Sequence, residues 1–133
     1  MSEQEKINYW IDMAEYDLET ASVMLNGKRY LYVGFMCHQV IEKALKGYYV
    51  YIKKETPPYT HNLTALAQKA NIYEAFSDEQ KDILDMLDPL NIEARYPTHK
   101  EKIMKLLDQD KCLKILKETE VLLLWIKEKL SIK

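Results

Sequence analysis

Three glycines and four prolines in 133 residues leave this chain few places to turn, and no apolar–polar alternation is sustained anywhere along it. That pattern predicts an all-α fold, because strands announce themselves by period-two patterning and frequent turn residues. The length predicts a single domain over residues 1–133, large enough to bury a core without disulfides or a structural metal. A formal net charge of −2 supplies no global attraction to nucleic acid, so any such site must be a local basic patch.

The helices follow from periodicity and punctuation. Ile7, Ile11, Ala14, Leu18, Ala21 and Leu25 form one apolar stripe, which predicts a helix from about Glu3 to Leu25 that stops at Asn26-Gly27. A second helix is expected over about Tyr30 to Lys54, before Pro57-Pro58, antiparallel to the first across a short connection. His61-Asn62 opens a shorter helix of about ten residues. Ser77 with Gln80 reads as a capping box that starts the next, and Pro89 should end it near Asp88. Residues Asn91 to Lys100 read as an irregular connection, and a last helix should run from about Asp110 to Leu130. These elements predict an up-and-down bundle of four main helices and one short one. Val121 to Ile126 is apolar all round, so that stretch is either enclosed by the bundle or covered by another subunit.

The richest segment for function is Phe35 to Lys46. At 100° per residue, His38, Gln39, Glu42, Lys43 and Lys46 fall within an arc of roughly 140°, while Cys37, Ile41, Ala44 and Leu45 take the opposite side. A solvated flank with a Glu42–Lys46 pair explains part of this. Leu31, Tyr32 and Phe35, one or two turns earlier on the same face, turn the reading toward a contact surface or groove wall. His61 and His99 are candidates for acid–base or hydrogen-bonding work, and Arg95 could hold a phosphate or form a structural ion pair. Cys37 and Cys112 have no metal-ligand spacing and read as buried free thiols. No P-loop, dinucleotide fingerprint, zinc motif or nucleophile motif occurs, so no cofactor, metal or catalytic step is called for. The start of the chain has no secretory pattern and no apolar run spans a membrane, which makes the cytoplasm the expected location.

Taken together, Asp17-Leu18-x-x-Ala21, Tyr32-x-x-Phe35-x-x-His38-Gln39-x-x-Glu42-Lys43-Ala44-Leu45-Lys46, His61-x-Leu63-x-x-Leu66 and Arg95-Tyr96-Pro97 resemble the HEPN family (higher eukaryotes and prokaryotes nucleotide-binding), in family order. The resemblance runs from about Glu5 to Leu130 and is most specific at the Gln-x-x-Glu-Lys-Ala-Leu-Lys core. It implies a stand-alone prokaryotic type, often a homodimer, that binds a nucleotide or a small nucleotidyltransferase protein. Gln39, Glu42, Lys43, Lys46, His61 and Arg95 would then line the groove, with Asp17 orienting a lysine of the second helix. Leu31, Tyr32, Phe35, Leu124 and Trp125 are the expected interface residues. Other members are toxins that cut RNA without a metal through an Arg and a His with four to six residues between them. Here three residues separate Arg95 from His99 and Pro97 lies among them, so that motif is not matched and binding is expected over cleavage. A ribonuclease held by an antitoxin, and a purely structural subunit, are the alternatives.

Overall fold

The computed structural model describes residues 1–92 and 96–131. Among them it contains six α-helices: α1 (Glu3–Asn26), α2 (Tyr30–Lys53), α3 (Leu63–Lys69), α4 (Asp78–Leu87), α5 (Pro97–Leu106) and α6 (Gln109–Ser131). Their starts have local causes. Ser2 Oγ accepts from the Glu5 amide while Glu5 Oε1 accepts from the Ser2 amide, both at 3.1 Å, and Ser77 with Gln80 repeats the same box at α4. Asn62 Oδ1 accepts from the Ala65 amide at 2.9 Å and opens α3, which at seven residues is shorter than expected. Pro89 ends α4 in a short 3₁₀ turn over Asp88–Leu90.

One stretch differs from the sequence expectation. Much of the connection expected to be irregular is the start of α5, because Pro97 occupies the first helical turn rather than interrupting a chain path. There its fixed φ suits the helix and its missing N–H is one that would lack an intrahelical acceptor anyway. Only Ile103 of α5 is buried, so the apolar periodicity that marks the other helices is nearly absent.

α2 is the centre of the fold. It packs against α1, α6, α3 and α5, and its buried positions, from Val33 through Val50, run around the whole circumference. Two glycines let neighbours approach. A Cβ on Gly47 would stand 3.1 Å from Trp10 Cβ and 3.3 Å from Ile11 Cδ1 of α1. A Cβ on Gly34 would stand 3.1 Å from Leu90 Cδ1 and 3.3 Å from Leu107 Cδ1. The α1 stripe of Ile7, Ile11, Ala14 and Ala21 faces this axis, with small residues where the helices come closest.

Gly47→Val should therefore cost roughly 1–3 kcal/mol by forcing α1 and α2 apart, outweighing any gain in helix propensity. Urea denaturation followed by circular dichroism measures this, and an unchanged midpoint would contradict the close approach.

Candidate functional site

Spacing of four residues stacks His38, Glu42 and Lys46 one turn above another on α2. The sequence reading makes this row part of the wall of a contact surface or groove. The structure buries it: His38 is 0% exposed, Glu42 3% and Lys46 7%. Charged groups survive inside a bundle when each finds a partner, and these do. Glu42 Oε2 accepts from Lys46 Nζ at 3.0 Å, and Glu42 Oε1 accepts from His61 Nδ1 at 2.9 Å. His61 lies between α2 and α3, just before the Asn62 cap, so the α2 carboxylate anchors the approach to α3. The Lys46 ammonium also lies 5.6 Å from the centroid of the Trp10 ring of α1.

The imidazoles have assignable roles. His38 Nε2 donates to the His61 carbonyl at 3.0 Å, which leaves His38 Nδ1 as an unprotonated nitrogen 3.7 Å from Glu42 Oε1, with no hydrogen-bond partner among the described residues. Burial pushes the His38 pKa below its ordinary value, against the opposing pull of the Glu42 charge. His61, whose side chain is 40% exposed, turns Nδ1 inward to Glu42 and keeps Nε2 as its outer nitrogen. The exposed Tyr59 ring meets the His61 ring edge-on, with centroids 5.5 Å apart.

A second ion pair closes the α1–α2 side. Buried Asp17 of α1 accepts from Lys43 Nζ of α2, whose side chain is 21% exposed. The side chain of half-buried Gln39, one turn before Lys43, makes no hydrogen bond among the described residues. Gln39, Lys43, half-buried Phe35 and exposed Tyr32 therefore form the most open strip of α2.

The remaining candidates are dispersed. Arg95 lies outside the described residues. His99 Nε2 donates to the Pro89 carbonyl at 2.9 Å, tying α5 to the end of α4. Leu31 is half-buried against the core. Trp125 packs on Phe76 with ring centroids 5.1 Å apart and has the Lys129 ammonium 4.8 Å from its ring centroid, while Leu124 is exposed. Both thiols are buried, and desolvation raises Cys37 to about 12 and Cys112 to about 11, so neither is a thiolate at neutral pH. Among the described residues no set of three His, Cys, Asp or Glu side chains is placed to hold a metal, and no helix is long and apolar enough to cross a membrane. Sequence reasoning passed over Trp10, Tyr59 and Asp88. Asp88 Oδ1 accepts from the Leu63 amide at 3.2 Å, and no local motif marks any of the three.

Residues 7–130 match the sequence model of the HEPN domain. The chain belongs to the HEPN family. A solved structure, that of TT1696 from Thermus thermophilus, shares the HEPN chain's fold with a TM-score of 0.79, 19% identity, and coverage of 93% of this chain and 98% of that one. No curated protein is similar to this HEPN chain at a significant level.

Two outcomes test the interior network of this HEPN domain. Glu42→Ala leaves the Lys46 ammonium buried without its carboxylate and should lower stability by about 3–5 kcal/mol in urea denaturation. His38 binds its proton more weakly folded than unfolded, so the unfolded state gains protons first as pH falls. Its contribution is complete above its ordinary value of 6.5 and declines as pH drops below it toward the depressed folded value. The stability difference between wild type and His38→Gln should therefore shrink on acidification below that point. A difference that does not change with pH would contradict the neutral buried imidazole.

Proposed function

We propose that this HEPN domain is a binding module for a nucleotide-handling protein partner, of the small nucleotidyltransferase kind that the family resemblance implies, and that it docks through the open strip of α2. One observation carries the reading. Both α2 lysines that a phosphate would need are already matched by carboxylates, Lys43 by Asp17 and Lys46 by Glu42. The strip has no surplus positive charge from these residues, so it suits triphosphate poorly. What it offers is Tyr32, Phe35 and the amide of Gln39, with Tyr59 exposed beside His61. Aromatic rings beside few net charges are the composition of a protein interface core. In this reading Glu42, Lys46 and Asp17 shape the surface from beneath, and a nucleotide would reach the complex on the partner.

The ribonuclease reading has less support. It asks for an imidazole free to exchange a proton beside a guanidinium, and His99 already gives Nε2 to the Pro89 carbonyl.

Co-expression with a nucleotidyltransferase encoded beside this chain is the test. The two proteins should co-purify, and Phe35→Asp and the more exposed Tyr32→Asp should each abolish the complex while the chain stays folded by circular dichroism. Calorimetric titration of the isolated chain with ATP should give no binding heat. A complex that survives both substitutions, or ATP heat that Lys46→Ala removes, would overturn the proposal.

A further inference from the structure

α5 buries Ile103 alone, and space is left where it meets its neighbours. Between the end of α4, α5 and the first turns of α6 lies a cavity of about 360 Å³, walled by Met86, Leu90, Ile103, Leu106 and Ile115. Leu90 and Leu107, which also lines it, rest on Gly34 of α2, where a Cβ would stand 3.1 and 3.3 Å from their Cδ1 atoms. Glycine lets both leucines sit back against α2 instead of being pushed into the space. These walls are apolar, yet Leu106 remains 58% exposed at the edge. Among the described residues the only charged side chains lining the cavity are Lys111 and Lys114, one turn apart on α6. Lys111 Nζ donates to the Leu106 carbonyl at 2.9 Å, which holds the ammonium at the rim and leaves two of its three protons uncommitted. The Lys114 side chain is 75% exposed, and its carboxylate neighbour Glu118 stands 3.7 Å away, beyond hydrogen-bonding distance. The Asp108 carboxylate accepts from the Lys111 amide at 2.8 Å rather than from its ammonium.

We propose that this cavity binds a free single-chain amphiphile with an anionic head, of the class of a medium-chain alkyl carboxylate. An apolar hollow with a few polar groups at one side is the usual form of a small-molecule site, the walls giving affinity and the polar groups orientation. Here the walls would take the alkyl chain, and the ammoniums of Lys111 and Lys114 would hold the carboxylate at the rim, where it stays partly in water. Volume sets the length. An apolar cavity of about 150 Å³ admits one benzene ring, so the same packing leaves room here for roughly fourteen non-hydrogen atoms, the size of decanoate or dodecanoate. That is one chain and not the two of a membrane lipid, which favours a free ligand over a bilayer. A nucleotide fits poorly, because no wall side chain offers a hydrogen-bond donor to a base. None of the lining residues belongs to the α2 strip assigned to a protein partner, so the two sites are tested separately.

Calorimetric titration of the full chain with hexanoate, octanoate and decanoate, each below its micellar concentration, decides it. One molecule should bind per chain, and each added methylene should tighten binding by roughly threefold to fourfold. Decyltrimethylammonium, with the same chain and the opposite head charge, should bind about tenfold more weakly than decanoate. Combining Lys111→Gln with Lys114→Gln should remove most of the difference between the two heads. Leu106→Trp, at an exposed position, should fill the mouth and abolish decanoate binding while circular dichroism stays unchanged. No saturable heat from any carboxylate, an affinity indifferent to chain length, equal binding of the two heads, or decanoate binding that survives Leu106→Trp would each overturn the proposal. So would attachment to phosphatidylglycerol vesicles without binding of decanoate, which would make this face a membrane contact.

Discussion

The arrangement of this bundle depends on one carboxylate. Glu42 lies near the middle of α2, almost fully covered, and holds Lys46 on one oxygen and His61 on the other. Removing an ionised group from water costs several kcal/mol, which only partners at hydrogen-bond distance offset. The carboxylate thus demands a second cation on its own helix and a donor from the segment leading into α3. His61 answers the second demand and also accepts, through its carbonyl, the Nε2 proton of His38. The path from the end of α2 to the start of α3 is thereby fixed at two points by side chains of α2. The Asp88 carboxylate then receives the first amide of α3, linking that start to the end of α4. Hydrophobic burial is non-directional, whereas each link in this chain of polar contacts also demands a particular distance and angle.

The same arrangement decides what α2 can offer outward. A lysine on a helix surface normally has charge to spare for a phosphate, but Lys43 and Lys46 each face a carboxylate within the fold. The polar residues of α2 thus divide by depth. His38, Glu42, Lys46 and, from α1, Asp17 build the interior, while Gln39, Tyr32 and Phe35 remain near the surface. His61 alone belongs to both, with one ring nitrogen bound inside and the other turned out.

Much of the fold was legible because helix ends are local events. The Ser2 and Ser77 caps, the stop near Asn26-Gly27 and the break at Pro89 depend on a few neighbouring residues, and the chain follows them. α5 escaped because its evidence is not local. It buries only Ile103, so no apolar stripe marks it, and Pro97 has opposite meanings inside a helix and at its first turn.

The burial of the α2 row was hard to read for a different reason. Residues at i and i+4 share a helix face whether that face meets water or protein, so the spacing of His38, Glu42 and Lys46 cannot tell a solvated flank from a buried network. A signal was nonetheless present in what surrounds the row. From Tyr30 to Lys53 the only charges are Glu42, Lys43, Lys46 and Lys53, and two glycines interrupt the helix at positions 34 and 47. A surface helix of that length has a continuous charged side and gains stability from alanine over glycine. So few charges, with glycine tolerated twice, describe a helix enclosed over most of its surface, where glycine admits a neighbour and each buried charge must have its partner within the protein. α6 makes the converse case: it carries acidic and basic residues along most of its length, yet leaves Val121 and Leu124 in water. In α2 the polar residues are the ones out of place, and in α6 the apolar ones are. The residue that contradicts its helix's majority character tells more about what that helix meets than the periodicity does.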